Sequence, residues 1–240
     1  MFARAIGAEY GAENVITSDM DTRQVDFGAS KCVHLDVTNH GAMEKIVREE
    51  KITYIVHLAA ILSALGEKKF DLAYKVNVEG TTNVLNVAKD HSCKVYMPSS
   101  IGVFGGDAFD KNFTSVDAVC QPKTVYGVTK IFNELLGTYY HDKFGVDFRC
   151  LRYPGVISSE LYTFNGTTDY ATEMFFEVLK HGKYECWLRE DTYIPMIYID
   201  DCVDATVKIL TADYKKLTRR VYNLAGLSFS PEELGNAVKK

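Results

Sequence analysis

The 240-residue sequence has no apolar run approaching the roughly 18 residues that span a bilayer, and no hydrophobic signal peptide opens it. It has no basic tract either. The densest groups, Lys215-Lys216 and Arg219-Arg220, read as a solvated helix end, and the net charge is −5. Neither a membrane nor a nucleic acid is an expected partner. The six cysteines (Cys32, Cys93, Cys120, Cys150, Cys186 and Cys202) form no C-x-x-C pair, and none stands beside a histidine at ligand spacing. This argues against a metal site and for reduced thiols in a reducing compartment. Cys32, Cys150 and Cys186 fall in apolar, strand-like runs, where cysteine serves as a small hydrophobe. The histidines are scattered too; His57, after Ile55-Val56, reads as a core or near-site residue rather than a ligand. Proline is scarce, with none between Pro122 and Pro154, so nothing interrupts a helix there. Internal repeats, low-complexity tracts and linkers are also missing.

What remains is globular: 47% apolar and 25% charged residues, at a length that suits one α/β domain with a sizeable core. Phe2 to Tyr10 has a helical pattern that stops at Gly11. Asn14 to Asp19 reads as a buried strand ending in an acid, and Val33 to Val37 as a strand ending at Asp36. Helices are expected at Gly41–Glu50, Phe70–His91 and Thr124–Phe144, and strands at Thr53–Ala60, Lys94–Ser99 and Asp147–Tyr153. Farther on, a helix at Thr172–His181 can be capped by Asp169 or Thr168. Tyr193–Ile199 leads into a helix from Asp200-Asp201, and Val221–Leu224 is a late strand. Ser230-Pro231-Glu232-Glu233 is a capping box with proline at the first helical position. The early strands are continuously apolar and alternate with helices, the pattern of a doubly wound parallel sheet covered on both faces. In such sheets ligands bind beyond the carboxyl ends of the strands, where Asp19, Asp36, Ala59, Ser99-Ser100 and Tyr153-Pro154 fall.

One stretch carries chemistry. Tyr126 and Lys130 are four residues apart in a segment that Thr124 can cap, so they share a helix face. A phenol ionises near pH 10, and a nearby ammonium favours the phenolate. Such a pair can take a proton from an alcohol and return it to a carbonyl. Upstream, the apolar run Val95–Pro98 ends in Ser99-Ser100, about 25 residues before Tyr126.

A sheet of this kind that binds a dinucleotide opens with strand, Gly-rich turn, helix, strand and acid. The helix, the second strand and the acid are here; a first strand with G-x-x-G-x-x-G is not. Asp19 sits where an acid would hold the adenosine ribose, unless it is a turn residue or helix cap. The expectation is a chain cut short at the front, with unpaired backbone on the two neighbours of the absent strand and without the amides that hold a pyrophosphate. The final helix is cut short too.

A strand ending in serine, followed by Tyr-x-x-x-Lys, resembles the active site of the short-chain dehydrogenase/reductases. Asp19, Leu35-Asp36-Val37, His57-Leu58-Ala59-Ala60, Asn77 and Arg152-Tyr153-Pro154-Gly155 resemble the extended branch of that family. Within it, Ala60–Glu67, Leu151–Ser158, Gly166-Thr167-Thr168-Asp169-Tyr170-Ala171 and Pro195–Asp201 are similar to the short-chain-type L-threonine 3-dehydrogenases, over essentially the whole chain.

The resemblance implies a Rossmann-like domain over 1–155 that binds NAD. A small interleaved substrate lobe follows over 156–240, with a late strand at 221–225 returning to the sheet. It implies that Tyr126 is the general base for the β-hydroxyl of threonine and that Lys130 lowers its pKa and holds the nicotinamide ribose. Ser100, or its neighbour Ser99, would bond the same oxygen. Ser63, Thr167 and Thr168 would grip the amino-acid head group, the two threonines being otherwise a cap and a turn. Asp36, Val37, Ala59, Ala60, Asn77, Tyr153 and Gly155 would line the cofactor; Asn77 is otherwise a polar helix face. The product would be 2-amino-3-oxobutanoate. A homodimer through the long helices and a mitochondrial location, with the cytoplasm as alternative, complete the expectation. The competing readings are an inactive or regulatory NAD-binding relic and a nucleotide-sugar epimerase or dehydratase.

Overall fold

The structure, a computed structural model, describes residues 1–22, 31–105, 113–159, 166 and 168–239. Helix α1 (Phe2–Tyr10) ends at Gly11, whose φ of 87° suits glycine. It is followed by strands β1 (Ile16–Asp19) and β2 (Lys31–His34), helix α2 (His40–Glu49) and strand β3 (Tyr54–Val56). Helix α3 (Ser63–Lys68) comes next, then α4 (Phe70–Tyr74) and α5 (Gly80–His91), joined by a π turn at Lys75–Glu79. Strand β4 (Lys94–Ser100), helix α6 (Val125–Phe144) and strand β5 (Phe148–Tyr153) follow. The last third holds β6 (Gly155–Ile157), α7 (Tyr170–His181), β7 (Ile194–Tyr198), α8 (Ile199–Thr211), β8 (Val221–Asn223), β9 (Leu227–Phe229) and α9 (Pro231–Val238).

The expected parallel α/β architecture is present, in three pieces. β3, β4, β5 and β8 form a parallel sheet in that order, so the late strand does return to the sheet, beside β5. β1 and β2 pair in parallel by themselves. Among the described residues β1 has β2 as its only partner strand and β3 has only β4. β6, β7 and β9 make a small mixed sheet under α7 and α9, around buried Tyr170, Met174, Met196 and Leu234.

Alternation within the strands explains the two covered faces. Val95, Met97, Phe148 and Cys150 meet Met43, Val47, Val84, Leu85, Val87, Ala88 and Tyr140 from α2, α5 and α6. Tyr96 and Leu151 turn the other way, toward Ile6 of α1 and Ala205, Ile209 and Leu210 of α8. No helix among the described residues is long and apolar enough to cross a membrane.

Several boundaries differ from expectation, each for a local reason. β2 stops at His34 instead of Asp36 because the Asp36 carboxylate accepts from both the backbone N–H (2.9 Å) and the hydroxyl (2.8 Å) of Thr38. That turn ends the strand and leads to α2. β3 ends at Val56, and the following chain leaves the sheet for α3, which the sequence pattern did not signal. α7 starts at Tyr170, two residues early. Asp169 precedes it without capping it by side chain, since its carboxylate accepts from the Gly166 N–H at 2.8 Å.

α6 lies close against the sheet where Gly137 faces Phe148. A methyl group at Gly137 would run into the Phe148 ring, which has no room to retreat because it is fully buried. Gly137→Ala should destabilise the fold by about 1–3 kcal/mol in urea unfolding, and Phe148→Leu in the same chain should recover part of that loss. An unchanged midpoint would show that the helix can lift off the sheet without cost.

Candidate active site

The site forms where β4 ends and α6 begins. Thr124 starts α6 by accepting the Gly127 N–H at 3.1 Å, and the Val125 N–H donates to the Glu67 carboxylate at 2.7 Å. The first turn of α6 lies directly under the segment after β4. A Cβ on Gly127 would collide with the Gly102 carbonyl and approach Pro122 Cβ to 2.7 Å, so glycine is what allows the contact. Ser100 accepts from the Gly102 N–H at 3.1 Å, which folds the chain back toward Tyr126.

Tyr126 is half-buried beside Ser100. Burial pushes its phenol up to about 12, while the hydrogen bond with the Ser100 side chain works the other way. The lowering expected from Lys130 does not prevail in the protein on its own. Lys130 does lie on the same face one turn later, with Nζ 5.4 Å from the centre of the Tyr126 ring. It is buried, and Nζ donates to the Pro98 carbonyl at 2.7 Å. Desolvation lowers it to about 8, against the opposing pull of Cys150 and Glu134. His57 is buried near it and is held neutral, near 4, by burial first and by Lys130 second. The side chain of Ser99 is buried with no hydrogen-bond partner for Oγ, so of the two serines it is Ser100 that meets the phenol.

The remaining candidates divide by where their side chains go. Asp19 is exposed at the end of β1 and accepts from the Asp21 N–H at 2.9 Å. Asp36 is held low by the two Thr38 hydrogen bonds, and Val37 packs where a Cβ on Gly80 would come within 2.8 Å of its methyl group. Ala59 and Ala60 lie in the segment after β3, with Ala59 exposed, and Ser63 opens α3. Asn77, in the π turn, is buried. Its amide holds Ile61 by N–H (2.7 Å) and carbonyl (3.0 Å) and donates to the Thr129 hydroxyl at 3.1 Å. It is thus occupied by the protein's own atoms and fixes the segment after β3.

Tyr153 departs most from its expected role. Its ring lies on the α1 and α8 side, stacked on Phe2, with its hydroxyl bonded to Tyr96 at 2.6 Å and to Thr206. Only its backbone remains at the strand end. Gly155 is buried; a Cβ there would strike Met196 and come within 2.8 Å of Thr168 Cβ, so Thr168 sits over this glycine. Thr167 lies outside the described residues.

Sequence reading missed a polar layer under the site. Thr129 donates to the Tyr126 carbonyl at 2.9 Å. Asn133, oriented to satisfy its neighbours, donates to the Thr129 and Asn77 carbonyls (3.1 and 3.0 Å) and accepts from the Thr81 hydroxyl at 3.1 Å. The available signal was helical spacing: Tyr126, Thr129, Lys130 and Asn133 lie on one side of α6.

A dinucleotide is fitted in part by these residues. The orphaned Ser99 hydroxyl and the exposed Asp19 lie at ends of parallel strands, and the Tyr126–Lys130 pair lies on the first turns of α6, beside the end of β4. A pyrophosphate clamp of the G-x-x-G-x-x-G kind is not part of the sequence. Among the described residues there is no group of three or more His, Cys, Asp or Glu that could hold a metal ion.

Comparison with known proteins agrees with this geometry. A family model described as the NAD dependent epimerase/dehydratase family matches residues 4–225. The mitochondrial L-threonine 3-dehydrogenase of Bos taurus is 42% identical over 96% of this chain and 62% of that protein. An uncharacterized epimerase/dehydratase of Staphylococcus haemolyticus is also 42% identical, over 96% of this chain and 73% of its own length. The crystal structure of L-threonine dehydrogenase from Phytophthora infestans superposes with a TM-score of 0.91 at 44% identity, covering 97% of this chain and 74% of that one. The chain thus spans a little under two thirds of the bovine relative.

A buried ammonium costs stability. Unfolded, Lys130 returns to an ordinary value of roughly 10.4. Below pH 8 it is charged in both states and its burial is a full penalty, which fades as pH rises from about 8 toward 10. Lys130→Met should therefore raise stability at pH 7 by roughly 2–3 kcal/mol, and by much less at pH 10. Denaturant unfolding at both pH values checks this; a variant less stable at pH 7 would mean the ammonium is well solvated.

Proposed function

From the premise that the chain belongs to the NAD dependent epimerase/dehydratase family, we propose that it is an NAD-dependent L-threonine 3-dehydrogenase. The single observation that carries this is Tyr126 set against Ser100 at the end of β4, with a buried Lys130 one helical turn beyond. The identity of the relatives named L-threonine 3-dehydrogenase, spread over nearly the whole chain, supports the choice of substrate.

In this reading Tyr126 takes the proton of the threonine β-hydroxyl and Ser100 holds that oxygen. Ser63, Thr167 and Thr168 grip the amino-acid head group, and 2-amino-3-oxobutanoate is released. Bound NAD supplies the hydride acceptor. Lys130 holds the nicotinamide ribose and Asp19 the adenosine ribose, while Asp36, Val37, Ala59, Ala60 and Gly155 line the cofactor. Asn77 serves by fixing Ile61, and Tyr153 through its backbone. Because burial keeps the phenol protonated at neutral pH, oxidation of the alcohol should accelerate as pH rises. Residues 1–155 act as the cofactor-binding domain and 156–240 mainly as a substrate lobe. Exposed Leu72, Tyr74, Val128 and Tyr139, on α4 and α6, favour a homodimer through these helices. The mitochondrial animal relatives suggest that compartment, and the staphylococcal ones a cytoplasmic alternative.

Tyr126→Phe should leave NAD affinity nearly intact and lower threonine-dependent NADH formation by a factor on the order of 10² or more. Equal turnover would remove Tyr126 from the mechanism. Turnover of a nucleotide sugar but not of threonine would favour an epimerase. Failure of the unaltered chain to bind NAD in calorimetry would favour an inactive relic.

A further inference from the structure

Glu134 is one turn beyond Lys130, on the same side of α6, and is almost fully buried. Arg152, near the end of β5, grips it with two parallel hydrogen bonds: Nε to Oε1 at 2.9 Å and Nη2 to Oε2 at 2.7 Å. The guanidinium has further partners. Nη1 donates to the Val116 carbonyl at 2.9 Å and to Asn223 Oδ1 at 3.3 Å, and the group lies 4.9 Å from the centre of the Phe104 ring. Asn223 in turn donates to the Thr114 carbonyl at 3.1 Å. Phe104 and the Thr114–Val116 stretch both belong to the connection that runs from Ser100 to the start of α6. One ion pair therefore touches the helix of Tyr126 and Lys130, the connection that follows Ser100, and β8.

We propose that Glu134 and Arg152 are positioning residues: their buried pair locks the connection after Ser100 onto the catalytic helix and places a carboxylate one turn below the Lys130 ammonium. This deepens the dehydrogenase reading and rests on it only for its catalytic consequence. A buried pair of this kind stabilises little compared with an apolar pair of the same size, so stability alone is a weak account of it. Its arrangement has a use at this place. The charged and titratable groups that face Lys130 are Cys150 from β5, His57 after β3, and Tyr126 and Glu134 from α6 itself. Of these, Glu134 is the one carboxylate, and with Cys150 it favours the ammonium. Arg152 keeps that carboxylate satisfied and fixed in place.

The test uses the full chain without cofactor, so that it succeeds or fails independently of any dehydrogenase activity. Lys130 is followed by carbon-detected NMR of labelled lysine, assigned with Lys130→Arg, and the connection is followed by amide hydrogen exchange at 113–121. Glu134→Gln, which keeps a hydrogen-bond partner for Arg152 but removes the charge, should lower the Lys130 titration midpoint by at least half a unit or so. Glu134→Asp should restore it. The paired replacement Glu134→Leu with Arg152→Met fills the space with apolar groups and should fold. In it, exchange at 113–121 should rise about tenfold or more while exchange in α2 and β5 stays at the parent level. An unshifted Lys130 midpoint in Glu134→Gln, or unchanged exchange at 113–121 in the folded double variant, would overturn the proposal. Should either variant unfold, the other readout decides alone.

Discussion

A lysine ammonium buried beneath the end of a parallel strand is the constraint around which the rest is arranged. Among the described residues Lys130 has one hydrogen-bond acceptor, the Pro98 carbonyl, and little access to water. A charge so placed is unfavourable unless neighbours compensate. The neighbours here are graded. Glu134 and the Cys150 sulfur favour the ammonium, His57 is held neutral beside it, and the Tyr126 ring covers one side. The result is a lysine whose pKa is drawn down to about 8, a poor arrangement for stability.

Around that point the polar contacts form a layer, and its members come from elements far apart in sequence. Asn77 joins the segment after β3 to α6 through Thr129. Asn133 joins α6 to α5 through Thr81. Arg152 joins β5 to α6 and to the connection after β4. Each is satisfied on more than one side, which fixes the geometry of Ser100, Tyr126 and Lys130 more firmly than apolar packing would. The π turn at Lys75–Glu79 fits this picture, since it sets Asn77 where it reaches both Ile61 and Thr129.

Much of the frame was legible in the sequence because it is written in local signals. The cap at Thr124, the stop at Gly11 and the capping box at Ser230 mark helix ends by chemistry within a few residues. Continuous apolar runs marked the parallel strands. Legibility failed where side chains chose among competing partners. Asp36 ended β2 early by turning to Thr38, and Asp169 chose Gly166 over the helix it precedes. Tyr153 was expected to line a cofactor, yet its ring packs on the opposite face of the sheet, because successive strand residues point to opposite sides.

By itself the sequence determined the layer architecture, the helix that carries Tyr126 and Lys130 on one face, and the serine at the preceding strand end. Those features follow from periodicity and from spacing along one element. Only the tertiary structure decided which serine meets the phenol, that burial raises its pKa, and that Glu134 and Arg152 meet under the site. These depend on distances between separate elements and on how much water remains between them, and neither quantity is encoded at any single stretch of chain.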